Sequence, residues 1–289
     1  MTKPTRRIPH WIKFKIPSGN RYNQVKNLLQ NEKLHTVCTE AKCPNIGECL
    51  SKGTATFLIL GNICTRNCRY CSISSGVPLP VDKKKSGGIA RAVASLGLQF
   101  VVITSVTRDD LIDGGALHFA LTVKAIRLLN KNCRVELLIP DFKNSLNKSL
   151  NTVMGSRPDI INHNIEVVNK FFRSLRPDGD YTLSLKLHEL VSDSGFLSKS
   201  GLMIGFGEAF KDIKSTLNDL FYAGCRIVTI GQYLQSTMSG FPVVKFYTPE
   251  EFSEIKNMAI DIGFHGVLST PLVRSSYLAE KIMMDNKNA

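Results

Sequence analysis

Short apolar runs recur along the chain from Thr56 onward: FLILG (57–61), FVVITS (100–105), VELLI (135–139), DIINH (159–163), LMIG (202–205) and RIVTI (226–230). Each is continuous rather than alternating, as expected of parallel strands covered on both faces. Helical spacing fills the gaps, for example over Ala116–Leu129 and 213–223. Alternation at this interval predicts repeated βα units, and six of them predict an α/β fold of the partial TIM barrel type, (β/α)6. A further helix is signalled at Thr248-Pro249-Glu250-Glu251. Thr supplies the N-cap, Pro the first helical position and Glu the other half of a capping box. Gly263 marks the stop. The tail GVLSTPLVRSSYLAEK (266–281) predicts a short strand, then a loop rich in Arg and hydroxyls. Before Thr56 the chain is basic, Pro-containing and irregular, with one helical stretch near 22–29. The expected organisation is an N-terminal extension (1–55), a barrel (56–245) and a C-terminal extension (246–289).

The polar residues interrupting this pattern fall where a barrel keeps its chemistry, at the C-terminal ends of the strands. The segment 62–71 follows the first strand and Thr107-Arg108-Asp109-Asp110 the second. Pro140-Asp141, Asn162-His163-Asn164, 205–208 and Gly231-Gln232-Tyr233 follow the other four. One rim collects nearly all the unusual polar residues.

Composition narrows the setting. No apolar run approaches the ~18–20 residues that span a bilayer, and MTKPTRRIPH has no apolar signal region. Arg6 and Arg7 hint at a mitochondrial presequence, but Pro4, Pro9 and Trp11 fit an amphipathic transit helix poorly. A cytoplasmic protein without membrane attachment is expected. The net charge is +13, and the first 35 residues hold eight Lys/Arg against Glu32. Such a surface suits an acidic protein, a phosphate-bearing cofactor or nucleic acid. Nucleic acid is the weaker choice, because aromatic stacking platforms are not interleaved with the basic residues.

Cysteine spacing changes the picture most. Six of the eight cysteines form two triads, Cys38-x4-Cys43-x5-Cys49 and Cys64-x3-Cys68-x2-Cys71. Clustered thiols in a reducing compartment favour metal over disulfide. The second triad supplies three thiolates, one short of closing an iron–sulfur cube, and so leaves one iron open for a ligand. A zinc site or a ferredoxin-type carrier is the alternative, but no fourth Cys or His lies at zinc-ligand spacing. Cys133 and Cys225 read as small buried hydrophobes. Asp109, Asp110 and Asp113 read as loop-fixing and capping groups.

The CTRNCRYC segment after a buried strand resembles the signature of the radical S-adenosylmethionine (SAM) superfamily. The glycine-rich SGLMIGFGE (200–208) resembles that superfamily's fifth strand. With the first triad in an N-terminal extension and RSSY (274–277) near the C-terminus, the chain resembles the lipoyl synthase family. The likeness extends through TEAKCPNIGECL (39–50), VVITSVTRDDLIDGGALHFA (101–120), LIPDF (138–142), NHNIE (162–166), SLRPDGDY (174–181), VTIGQYLQ (228–235) and TPEEF (248–252). It implies the radical SAM fold and two [4Fe–4S] clusters. Cys64, Cys68 and Cys71 would hold the cluster that binds SAM and generates a 5′-deoxyadenosyl radical. Cys38, Cys43, Cys49 and a serine of RSSY would hold an auxiliary cluster consumed as sulfur donor. Ser276 is the expected serine and Ser275 the competing one.

The implied reaction inserts sulfur at carbons 6 and 8 of a protein-bound octanoyl-lysine. The implied partners are octanoylated lipoyl carrier domains (2-oxoacid dehydrogenase E2 subunits and glycine cleavage H protein), a flavodoxin or ferredoxin as low-potential donor, and iron–sulfur assembly proteins. By position, Asn164, Glu166 and Gly205 are the expected SAM contacts, with Arg274 a further candidate for steering the cluster or binding the methionine carboxylate. Three departures from the family pattern stand out: Ala209 after the GxGE run, Ser236–Gly240 after GQYLQ, and Leu278-Ala279 after RSSY.

Overall fold

The computed structural model describes residues 7–52 and 54–277; Arg6 and Leu278-Ala279 lie outside them. The described residues form two packed units, and the chain passes from one to the other after residues 13, 67 and 72 and again inside strand β7 (Ile160–Asn162).

The first unit contains residues 14–67 and 73–161. Its main sheet joins β1 (His35–Thr36), antiparallel, to β2 (Thr56–Leu58). β2, β5 (Phe100–Thr104) and β6 (Arg134–Leu138) then run parallel. A two-residue parallel ladder, β3 (Ile63–Cys64) with β4 (Ser74–Ser75), brackets the second cysteine triad. Helices α1 (Asn20–Asn31), α2 (Val37–Glu40) and α3 (Ile46–Ser51) precede or flank β2. The connecting helices are α4 (Lys85–Ser95), α5 (Ala116–Leu129) and α6 (Leu146–Gly155). Every position of β2 and β5 is buried, as are Val135 and Leu137 of β6 and Ile89, Val93, Phe119 and Ile126 of the helices. Burial on both faces explains why the strand runs do not alternate.

The second unit contains residues 7–13, 68–72 and 162–277. Helices α7 (Asn169–Leu175) and α8 (Tyr181–Asp193) lead to β8 (Ser198–Ile204). Helix α9 (Phe210–Tyr222), β9 (Ile227–Gln232), α10 (Pro249–Ile262) and β10 (Gly266–Ser269) follow. β8, β9 and β10 are parallel, so the tail does return as a strand. Its core gathers Leu202, Ile204, Phe206, Leu217, Val228, Ile230 and Tyr247. Helix α10 begins as its sequence predicts: Thr248 accepts from the Glu251 amide, Glu251 answers to the Thr248 amide, and Gly263 closes the helix at φ 113°. Trp11 donates its indole N–H to the Tyr247 carbonyl at 3.2 Å and so ties the N-terminal strap to this unit. Among the described residues no helix is long and apolar enough to cross a membrane.

Candidate functional site

The first triad occupies a helix–turn–helix in the first unit. Cys38 lies in α2, capped by the Thr36 hydroxyl, and Cys49 in α3. Between them Lys42 takes φ 50° and the Cys43 amide returns to the Cys38 carbonyl at 3.0 Å. Burial pushes the Cys38 thiol up to about 11 and the Cys49 thiol up to about 12, and the neighbouring thiols add to both. Two thiols so raised need a strongly cationic partner to become thiolates. Glu48, the one acid in α3, is committed elsewhere: it pairs with Lys52 at 2.5 Å and with Lys15 at 3.3 Å. Among the described residues no three Cys, His, Asp or Glu side chains converge on a single ion. A cube does not need that convergence, since each thiolate binds a different iron. The donor set of three cysteines on one short segment fits a thiolate-held cluster.

The second triad begins at the end of β3, where the Arg66 amide lies 3.4 Å from Cys64 Sγ. The Arg66 side chain is the best-anchored group in the loop. Its guanidinium donates to Asp109 through Nε and Nη2 (2.7 and 2.8 Å) and to Asp141 through Nη1 and Nη2 (2.6 and 2.7 Å). The two carboxylates hold it well above the ordinary guanidinium range against the opposing effect of burial. Thr65 adds bonds to the Thr107 carbonyl and the Asp109 amide. Cysteine spacing gave no role to Arg66. The signal lay in its charge beside two rim aspartates, one after each of the next two strands. Asp110 pairs with Arg108, and Asp113 accepts from the Gly115 and Leu117 amides, so these acids fix their loop.

Cys68 and Cys71 belong to the second unit, where the Cys71 amide bonds the Cys68 carbonyl at 3.0 Å. Their segment is fastened by Arg69, whose amide reaches the Leu175 carbonyl and whose carbonyl accepts from the Phe241 amide, both at 2.9 Å. Tyr70 packs edge-on to Phe206, and burial raises its hydroxyl well above the usual range.

In the same unit Asn164 donates its amide to Glu166 Oε1 at 3.0 Å and to Ser275 Oγ at 3.1 Å. Its own Oδ1 is buried with no hydrogen-bond partner. Glu166 sits in the left-handed region at φ 70°, pinned by its amide to the Gly201 carbonyl and by its carbonyl to the Met203 amide. Burial raises its carboxyl, opposed first by Arg176. Arg176 also donates to the Asn164 and Ile165 carbonyls, at 3.1 and 3.2 Å. The strain at Glu166 and the open acceptor on Asn164 are features that cluster at ligand sites.

Gly205, the third expected SAM contact, has both backbone groups engaged. Its amide meets Glu208 at 2.5 Å, and its carbonyl accepts from the Val244 and Lys245 amides. Any side chain there would collide with the Gln232 amide, 2.2 Å from an ideal Cβ, at φ 128°. Gln232 laces this corner through the Ile204, Tyr233 and Lys245 carbonyls and the Tyr247 amide. His163 is buried against the Ser184 hydroxyl at 3.1 Å.

The comparisons with known proteins agree with one another. A model of the Radical SAM superfamily matches residues 58–220, and a model of the N-terminal domain of lipoyl synthase matches residues 2–43. Lipoyl synthase of Chlorobium phaeovibrioides is 48% identical over 275 residues, 94% of this chain and 96% of its own. That of Nitrosococcus oceani is 45% identical, covering 97% and 87%, and that of Bacteroides fragilis 44%, covering 97% and 98%. Among solved structures, methylornithine synthase (PylB) superposes with TM-score 0.57 at 10% identity over 70% of this chain and 61% of its own. HydG, a maturase of [FeFe]-hydrogenase, does so with 0.58 at 13% over 79% and 53%. These two show the fold alone: the α/β partial barrel that the apolar runs predict.

Proposed function

The chain belongs to the lipoyl synthase family of radical SAM enzymes, and from that premise we propose how its residues divide the work. Cys64, Cys68 and Cys71 hold the SAM-binding [4Fe–4S] cluster, and Cys38, Cys43, Cys49 and Ser276 hold the auxiliary one. When bound, the first supplies the electron that splits SAM to a 5′-deoxyadenosyl radical, and the second supplies sulfur for C6 and C8 of an octanoyl-lysine. Residues 1–55 carry the auxiliary ligands, 56–245 the barrel and 246–289 the serine.

The observation that carries the auxiliary assignment is the placement of three cysteines on one short helix–turn–helix, with burial raising the Cys38 and Cys49 thiols and the local acid already paired. Ser276 is preferred to Ser275 because the Ser275 hydroxyl already accepts from Asn164. Asn164, with an open buried acceptor, and Glu166, held in a strained backbone, are suited to orient the SAM ribose and amino groups. Gly205 contributes a surface without a side chain, against which the adenine packs, and makes no backbone bond to it. Arg66 fixes the loop between Cys64 and Cys68.

The substrates are octanoylated lipoyl carrier domains, those of 2-oxoacid dehydrogenase E2 subunits and glycine cleavage H protein. A basic surface of net charge +13 suits an acidic carrier. A flavodoxin or ferredoxin provides electrons, iron–sulfur assembly proteins restore the auxiliary cluster, and the setting is cytoplasmic. Iron and acid-labile sulfide analysis tests the assignment: about eight irons per chain for two cubes, falling by half when either triad is changed to Ala. Zinc without sulfide, or loss of all iron from one triad's change, would contradict it.

A further inference from the structure

We propose that the Arg274–Tyr277 loop is seated on a built platform, cleared by Gly201 and Gly231 and locked by the Asn164 amide, and that this seat positions Ser276. The inference rests on the reading of Ser276 as a cluster ligand. Every residue of the seat lies in the second unit.

The two glycines lie on adjacent parallel strands, where Gly201 pairs with Thr229 and Gly231 with Met203. Neither has a positive φ, so neither is needed for an unusual backbone conformation. What both provide is room. A Cβ on Gly201 would stand 2.6 Å from Asn164 Oδ1 and 3.2 Å from Ser275 Cβ. A Cβ on Gly231 would stand 2.1 Å from the Val273 carbonyl oxygen and 3.1 Å from Arg274 Nη1. Side-chain volume at two strand positions has been removed where the tail crosses them.

Hydrogen bonds hold the tail in the space so cleared. The Thr270 amide bonds the Ile230 carbonyl at 3.2 Å, and the Gln232 amide bonds the Pro271 carbonyl at 3.1 Å. Two turns follow, closed by Val273 N to Thr270 O at 3.1 Å and by Tyr277 N to Arg274 O at 2.8 Å. Arg274 Nη1 donates to the Val273 carbonyl at 2.6 Å. The lock is the Asn164 amide on Ser275 Oγ at 3.1 Å. Ser276 is the third residue of the locked turn, so fixing Ser275 fixes the backbone from which Ser276 projects.

An alkoxide is a poorer match than thiolate for iron in a sulfide cluster, so its binding gains most from being held in place beforehand. Asn164 also contacts Glu166. One amide therefore touches both the tail and the group proposed to orient SAM. Asn164, Gly201, Gly231 and Ser275 are positioning residues in this scheme, acting through Ser276.

The test compares full-length, cluster-loaded wild-type protein with Gly231→Ala and Ser275→Ala chains under anaerobic conditions. Hydrogen–deuterium exchange in 270–277 should quicken by about tenfold in both variants, while Phe210–Tyr222 is unchanged. Deoxyadenosine formation by Gly231→Ala should persist while sulfur insertion falls severalfold, raising the ratio of the two; general structural damage lowers both together. Ser275→Ala removes only a hydroxyl and serves if the larger intrusion at Gly231 prevents folding. Unchanged exchange in 270–277 overturns the seat, and faster exchange with an unchanged product ratio overturns its positioning role. A Ser276→Ala chain that keeps full sulfur insertion overturns the ligand reading instead, and leaves the exchange result standing.

Discussion

Replacing Arg66 with Ala removes the only described guanidinium that pairs with both Asp109 and Asp141. The Asp141 side chain is fully buried and that of Asp109 is 31% exposed. The loss is therefore dominated by Asp141, whose buried carboxylate loses the Arg66 charge and both of its guanidinium hydrogen bonds. Breaking a buried pair from one side costs about 3–5 kcal/mol, whereas an exposed pair would cost under about 1 kcal/mol. Arg66→Lys restores the charge, but one nitrogen cannot present paired donors to two carboxylates, so an intermediate loss of about 2 kcal/mol is expected.

The pH dependence carries a sign. In the Ala variant the buried carboxylate, deprived of the Arg66 cation, holds its proton more tightly than it does in the wild-type fold. The deficit is then largest at neutral pH and shrinks as pH falls and the carboxyl is neutralised. The assay is urea unfolding of the chelator-treated chain at several pH values, which separates this effect from cluster binding. A neutral-pH loss below about 1 kcal/mol, or a deficit that grows on acidification, would refute the reasoning.

Gly205→Ala combines a φ of 128° with overlap onto the Gln232 amide, and should destabilise the chain by about 2–4 kcal/mol by thermal or urea unfolding; a loss within experimental error would show that the corner is not held by Gln232. Burial, with His163 alongside, lowers the His188 imidazole to about 3, so the unfolded chain takes up its proton first as pH falls. Stability should decline from the unfolded value near ~6.5 down to about 3, by at most ~1.4 kcal/mol per pH unit, and His188→Gln should flatten that slope. An unaltered slope removes His188 from the account. Ser276→Cys should keep the auxiliary cluster but slow sulfur insertion, because thiolate holds iron more firmly than alkoxide; insertion at the wild-type rate means that release of the serine does not limit the reaction.

Local and periodic signals were legible in the sequence. The runs 100–105 and 135–139 became β5 and β6 almost residue for residue, because strands buried on both faces are written as unbroken apolar stretches. The α10 cap was equally open, since Thr248, Pro249 and Glu251 act within one turn. β8 was only half visible. The apolar run points to 202–205, yet the strand starts at Ser198 and continues through Lys199 and Ser200, all buried. Ser198 meets the His188 ring at 2.8 Å, and Ser200 bonds the His163 carbonyl and the Ile165 amide. Those partners satisfy its hydroxyls, and hydropathy cannot foresee partners. The same limit hid the fork on Arg66, whose acids lie 43 and 75 residues away, and the bond from Asn164 to Ser275, which spans 111. The cysteine triads were plain as spacing, whereas the reason for Gly201 and Gly231 appears only when the tail is laid across them.

The central claim is that two thiolate-held clusters on this chain convert a protein-bound octanoyl group to lipoyl. Anaerobic incubation with SAM, dithionite and an octanoyl-lysyl peptide, followed by mass spectrometry, tests it most directly. The account predicts a peptide carrying two inserted sulfurs together with deoxyadenosine, and deoxyadenosine without complete insertion when Cys38, Cys43 or Cys49 is changed to Ala. Deoxyadenosine formed by the wild-type chain with no change in peptide mass would contradict it.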